Sequence, residues 1–326
     1  MPRLALIATG GTIAGSGAQE NYIAGVLGAD VLLGAVTELR RLADWHVEQP
    51  FALDSRDMEP AHWLLLAARV QAMLDDPAID GIVITHGTDT LEESAFALDL
   101  LLPAGKPVVL TAAMRPATSL SSDGPLNLLQ AACVALHPAA RERGVLVVAN
   151  GLIIAAQQLR KTSTHAVEAL QPQAGAAPLG QVIGEIVQLS PGQPPRSAPL
   201  QVQPGELPRV DILYAHAGAT PDLIAACVAA GARGLVLALS GHGSIPQSWR
   251  PALAQARASG LQVVRATRIS AGGVWPNCNE DDTANGWLAA GRLSPQQARV
   301  LLILALAGQA HPDPQPLSGL FARYHA

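Results

Sequence analysis

Short apolar runs separated by helix-length segments constrain this chain more tightly than any other feature. Runs at residues 4–8, 47–53, 81–85, 108–111 and 145–149 have the length and character of buried strands. Between them, apolar residues recur at helical spacing over about 29–42, 61–74, 91–101 and 125–136. The second of these helices is expected to start just after Pro60, and Asp123 is placed to cap the fourth. Such alternation predicts a mostly parallel sheet covered by helices on both faces. A proline-rich stretch at 190–208 has little periodicity and reads as a linker. Beyond it the alternation resumes, with strands expected at 210–215, 234–239 and 261–266 and helices at 221–230, 247–259 and 295–307. The predicted organisation is therefore α/β throughout: a larger N-terminal domain over 1–190, a linker over 191–208, and a smaller, Rossmann-like domain over 209–326.

Composition removes several function classes. With 49% hydrophobic and 14% charged residues in a chain of 326, a large core is available and disorder is excluded. The net charge of −5 argues against a nucleic-acid partner, which would call for a basic face. The longest apolar helical candidate, 300–307, is too short to span a bilayer, so no membrane partner is expected. Met1-Pro2-Arg3 runs straight into a strand with no signal-like stretch, and a cytoplasmic location is expected. Cys133, Cys227 and Cys278 are widely spaced and form no CxxC pair; the first two fall in helical patterns as core thiols. The nine histidines show no metal-ligand spacing, and no metal is expected.

Chemistry concentrates where two strands end. The run 4–8 leads into Thr9-Gly10-Gly11-Thr12-Ile13-Ala14-Gly15, and the run 81–85 into Thr85-His86-Gly87-Thr88-Asp89-Thr90. Paired glycines allow a sharp turn at the carboxyl edge of a sheet, where α/β proteins keep their ligands. The first turn lacks the G-x-G-x-x-G spacing of a dinucleotide site, and Ser16 stands where a phosphate loop would need lysine. Two such strand ends, each with a hydroxyl and the second with a carboxylate, suggest a hydrolytic site. No G-x-S-x-G elbow is present, so a hydroxyl such as that of Thr12 would need another neighbour to take its proton.

Among 21 basic residues only Lys106 and Lys161 are lysines. Arginine stays charged, whereas a desolvated lysine can move a proton. Lys106 precedes Pro107 in an ordinary turn; Lys161 lies on a polar loop after two apolar runs. A relay follows in which Asp89 orients Lys161 and Lys161 accepts a proton from Thr88. Tyr22 lies ten residues past Thr12 and can fold back over it, while glycine-rich turns supply N–H groups to an oxyanion.

The two strand-end segments resemble the signature segments of the bacterial L-asparaginase family. The resemblance continues through Asp54-Ser55-Arg56-Asp57-Met58, Thr111-Ala112-Ala113-Met114-Arg115-Pro116, Ser122-Asp123-Gly124-Pro125, Arg160-Lys161-Thr162-Ser163-Thr164 and the closing Ser294-Pro295-Gln296-Gln297-Ala298-Arg299-Val300-Leu301. It implies that Thr12 is a nucleophile toward the side-chain amide of L-asparagine, assisted by Tyr22. Thr88, Asp89 and Lys161 would form a second catalytic group, and Ser55 and Asp89 would hold the substrate's carboxylate and amino group. It further implies a homotetramer, a dimer of dimers, in which a neighbour's C-terminal domain completes each site and no cofactor is used. L-Glutamine would be a weaker substrate. A subunit for tRNA-dependent transamidation would carry a domain ahead of the first signature, and eight residues precede Thr9. Arg56 and Ser244 depart from the family's usual glutamine and asparagine, and the partner's acidic ligand falls at either Asn279 or Glu280.

Overall fold

A computed structural model describes residues 1–18, 21–192, 198–202, 205–308 and 316–325. Residues 193–197 and 203–204 of the expected linker lie outside the described residues. The chain forms two compact units, Met1–Pro199 and Leu200–Ala326.

The first unit contains strands β1 (Arg3–Ala8), β2 (Ser16–Ala18), β3 (Asn21–Ile23), β4 (Asp44–Glu48), β5 (Gly81–Thr85), β6 (Val108–Thr111), β7 (Val145–Ala149), β8 (Leu152–Ala155), β9 (Leu159–Lys161), β10 (Leu170–Pro172), β11 (Gly180–Ile183) and β12 (Ile186–Leu189). Its α-helices are α1 (Ala29–Gly34), α2 (Thr37–Leu42), α3 (Pro60–Asp75), α4 (Leu91–Leu101) and α5 (Gly124–Leu136). Eight strands make one sheet in the order β12-β11-β8-β7-β6-β5-β1-β4. The run β4 through β7 is parallel, and β8, β11 and β12 extend it with antiparallel pairings. Side chains alternate across it. Ala5, Ile7, Ile82 and Ile84 pack with Leu66, Val70, Ala95 and Leu98 of α3 and α4. Leu4, Leu6, Ala8 and Val83 pack with Leu32, Leu39, Leu128 and Ala131 of α1, α2 and α5 on the other face. Each fully buried Leu or Ile contributes roughly 1.5–3 kcal/mol, which explains why the strands read as unbroken apolar runs.

The order of the parallel strands places the site. From β4 to β7 the sheet runs second, first, third, fourth, fifth in chain order, so the connections leave β1 toward opposite sides. Ligands of open α/β sheets bind in the crevice beyond such a switch point, between the carboxyl ends of β1 and β5.

Three local expectations are corrected. The helix expected over 29–42 is two short helices, because Val36 takes an extended backbone (φ −123°, ψ 95°) and buries its branched side chain. The strand expected over 47–53 is Asp44–Glu48, ending before Pro50, which has no N–H for the ladder. Asp123 does not cap α5 with its side chain. Its carboxylate accepts the Met114 and Arg115 N–H groups at 3.0 and 2.9 Å instead.

The second unit has strands β13 (Val210–Tyr214), β14 (Gly234–Leu239), β15 (Gln262–Thr267) and β16 (Leu288–Ala289), all parallel and in sequential order. Helices α6 (Asp222–Ala229), α7 (Arg250–Ala258), α8 (Asp282–Asn285), α9 (Pro295–Gly308) and α10 (Leu317–Ala322) accompany them. Arg265 on β15 is fully buried and meets Asp282 through two 2.6 Å bonds, while its Nη1 donates to the Gly243 carbonyl at 2.8 Å. This bidentate pair joins the loops that carry Ser244 and Asn279. No helix among the described residues is long and apolar enough to cross a membrane.

Candidate active site

Close backbone approach builds the site. Gly10 and Gly11 have φ of 104° and 79°, a region open to glycine. A Cβ at Gly11 would lie 2.3 Å from the Gly87 nitrogen, and one at Gly87 would lie 2.5 Å from Ser55 Oγ. The turn after β1, the turn after β5 and the segment around Ser55 therefore abut with no room for side chains between them. The third segment arrives because the chain leaves β4 beside the first turn: Leu53 N–H donates to the Thr9 carbonyl at 2.9 Å, and Gly11 N–H to the Leu53 carbonyl at 2.8 Å.

Thr12 is buried and opens a single 3-10 turn (Thr12–Ala14). The chain then enters the β2–β3 hairpin rather than an α-helix, with Gly17 paired opposite Tyr22. That reversal carries the Tyr22 hydroxyl to 2.7 Å from Thr12 Oγ1.

A second group forms at the crevice's other turn. Lys161 Nζ donates to Thr88 Oγ1 at 2.9 Å and to Asp89 Oδ1 at 2.5 Å. The Lys161 side chain is 22% exposed and that of Asp89 53%, so one end of the pair is shielded and the other faces solvent. Ser55 Oγ accepts the Asp89 N–H at 3.1 Å, and the Ser55 carbonyl accepts the Thr90 hydroxyl at 2.7 Å. Thus Thr12 meets Tyr22, and Thr88, Asp89 and Lys161 meet one another, with Ser55 tied to Asp89.

Lys161 is not on a loop, as its sequence surroundings predict, but ends β9, paired with β10 at Leu170. Sequence reasoning also missed what stands behind it. Glu92, in the first turn of α4, accepts the Lys161 N–H at 3.4 Å; burial raises its pKa above the usual carboxylate range, opposed by the nearby Arg160 guanidinium. Arg160 itself donates to the Leu159 carbonyl at 2.6 Å and to Gln173 Oε1 at 2.9 Å. Two acids after a Thr-Asp-Thr turn offered a signal for such bracing, but not for its partner. His86 is buried, its Nδ1–H donates to the Gly87 carbonyl at 2.8 Å, and burial lowers its pKa to about 4. The ring is therefore uncharged at neutral pH and holds a carbonyl of the turn after β5.

Arg56 points outward and pairs with Asp54 at 3.0 Å. In the second unit, Glu280 is buried and its carboxylate is occupied by Arg250 Nη2 at 2.6 Å and the Ile245 N–H at 2.9 Å. Asn279 is exposed, in a left-handed conformation (φ 63°), and its amide donates to Ser244 Oγ at 3.3 Å.

Comparison with known proteins covers nearly all of the chain. Residues 3–194 match the family model described as asparaginase, N-terminal, and residues 209–321 match the glutaminase/asparaginase C-terminal domain. The chain is 40% identical over 331 residues to L-asparaginase 2 of Escherichia coli, covering 99% of this chain and 94% of that protein. It is 34% identical over 348 residues to a glutaminase-asparaginase of Pseudomonas aeruginosa, covering 99% and 91%. The crystal structure of a probable cytoplasmic L-asparaginase from Campylobacter jejuni superposes with a TM-score of 0.89 at 37% identity, covering 99% of both chains.

Proposed function

This chain belongs to the asparaginase family, and on that premise we propose that it hydrolyses the side-chain amide of L-asparagine to L-aspartate and ammonia, with Thr12 as nucleophile. The observation that carries the reading is the bridging of Thr88 and Asp89 by Lys161 at one strand end, beside a turn whose Thr12 hydroxyl meets Tyr22. In the first half-reaction the Thr12 oxygen attacks the amide carbon and gives up its proton, with the Tyr22 hydroxyl as its partner. The tetrahedral oxyanion is stabilised by N–H groups of the glycine turns. Collapse breaks the carbon–nitrogen bond, ammonia leaves with the added proton, and an ester to Thr12 remains. Water then attacks that ester, its proton passing toward Thr88 and Lys161, and the acid product and the Thr12 hydroxyl are regenerated. Ser55 donates its hydroxyl proton to the substrate's α-carboxylate, having used its oxygen on Asp89 N–H. Asp89 receives the α-ammonium. No step calls on a cofactor.

The deciding measurement is ammonia release from L-asparagine and from L-glutamine under equal conditions. Asparagine is expected to exceed glutamine in kcat/KM by about tenfold or more, since one methylene shifts a well-built site by roughly that factor. Equal values would make the chain a broad glutaminase-asparaginase, the name borne by the Pseudomonas relative. Binding of asparagine without turnover would make it an amino-acid sensor.

We propose further that the protein is a cytoplasmic homotetramer; the likeness to the probable cytoplasmic L-asparaginase of Campylobacter supports the location. Exposed apolar side chains such as Leu120, Leu126, Ile183, Ile186 and Leu223 favour association. Light scattering at micromolar protein is expected to give the mass of four chains. The mass of one chain together with full activity would overturn the shared site and any partner-chain role for Ser244 or Asn279.

A further inference from the structure

Tyr22 reaches Thr12 only while the β2–β3 hairpin stays folded over the first turn, and that hairpin is short. Two strands of three residues cannot hold themselves in water. Gly25 and Leu27 N–H groups tie the segment after β3 back to the Gly11 and Ala14 carbonyls, and a further brace on β2 comes from far along the chain. Thr118, 101 residues from Gly17, accepts the Gly17 N–H at 3.0 Å and donates its hydroxyl proton to the Gly17 carbonyl at 2.7 Å. Beside it, Ala117 N–H donates to the Gly15 carbonyl at 3.1 Å. Gly17 is the residue paired directly opposite Tyr22, and a Cβ there would fall 2.7 Å from the Tyr22 Cα. The grip is thus applied directly across the hairpin from Tyr22, through a position with no side chain of its own.

The loop that presents Thr118 is itself held. It follows β6 and precedes α5, and Asp123 clamps its start by accepting the Met114 and Arg115 N–H groups. Arg115 Nη1 donates to Ser121 Oγ at 2.8 Å, and Ser119 N–H to the Pro116 carbonyl at 2.9 Å. A braced loop therefore offers one hydroxyl, used in both directions, to a hairpin that needs an anchor.

We propose that Thr118 is a positioning residue for the reaction: by holding both main-chain polar groups of Gly17 it keeps the Tyr22 hydroxyl on Thr12. This rests on the reading of Tyr22 as the group that assists Thr12. Because Thr118 is exposed, valine at this position removes the hydroxyl without opening the core.

The test measures kcat and KM for L-asparagine in Thr118→Val, Thr118→Ser, Tyr22→Phe and the double variant Thr118→Val/Tyr22→Phe. Thr118→Val is expected to lower kcat about tenfold with KM within about threefold, and Thr118→Ser to stay within about twofold of the parent. On the Tyr22→Phe background, itself reduced about tenfold or more, Thr118→Val is expected to add less than about twofold, because the group it positions is already gone. A parental kcat for Thr118→Val beside a crippled Tyr22→Phe would overturn the inference alone. The same holds if the full Thr118→Val loss reappears on the Tyr22→Phe background, since Thr118 would then act through something else. A parental kcat for Tyr22→Phe would instead sink the assisting role of Tyr22, and this inference with it.

Discussion

Thr12→Ala is expected to lower kcat for asparagine by about 10³-fold or more while the protein stays folded and still binds substrate. The size follows from the role: without the hydroxyl no ester forms, and only the oxyanion donors and substrate-holding groups remain to act on water. The mildness for the fold follows from the geometry. Thr12 caps nothing with its side chain, and its hydroxyl bonds Tyr22 rather than the backbone. The main-chain bonds of the turn, Gly11 N–H to Leu53 and Gly15 N–H to Thr12, are unaffected by alanine. A small buried truncation of this kind costs about 1 kcal/mol, well within the stability of a domain this size. Ammonia release, thermal melting and asparagine binding by calorimetry separate the two effects. Turnover above a few per cent of the parent, in a folded variant, would remove Thr12 from the nucleophile's place.

Lys161→Arg is expected to be nearly as damaging as Lys161→Ala, each lowering kcat by roughly 10²-fold or more. Charge alone would predict the opposite, since arginine preserves it. The difference lies in proton affinity and shape. A guanidinium holds its proton at any accessible pH and presents a planar fork, whereas an ammonium is a compact donor that can release a proton when desolvated. Lys161 Nζ sits within 2.9 Å of Thr88 Oγ1 and 2.5 Å of Asp89 Oδ1, on a strand end held by Glu92 from behind. A larger head group in that space would displace Thr88 or Asp89. Steady-state kinetics of the two variants decides between the roles. An arginine variant keeping most of the parental kcat would make Lys161 a fixed charge and end the proton-relay account.

Much of this architecture is local information. The apolar runs that became β1, β5, β6 and β7 were legible because a strand buried on both faces needs an unbroken apolar stretch, whatever it packs against. Gly10-Gly11-Thr12 and Gly87-Thr88-Asp89 were legible as strand-end turns because backbone freedom is a property of the residue itself. Even the scarcity of lysine pointed to Lys161 before any partner was known. The sequence by itself thus determined the α/β class, the strand ends that carry the hydroxyls, and the residue types available for proton transfer.

Partnership was decided by tertiary structure. That β1 lies between β4 and β5 follows from long-range strand pairing, and only this order puts the two turns on either side of one switch point. Lys161 reaches Asp89 across 72 residues from a short strand that pairs with β10 and meets Glu92 of α4, contacts with no periodic signature. Asp123 had the composition of a helix cap, yet two backbone N–H groups from residues 114 and 115 outcompeted the helix end for its carboxylate. Glu280 and Asn279 are neighbours that sequence could not separate; burial beside Arg250 consumes the first, and a left-handed backbone turns the second outward to Ser244. Periodicity and glycine conformations act within a few residues and can be read along the chain. The partner of a hydroxyl or carboxylate depends on which distant segment desolvates it, and that is settled only when the strands have chosen their order.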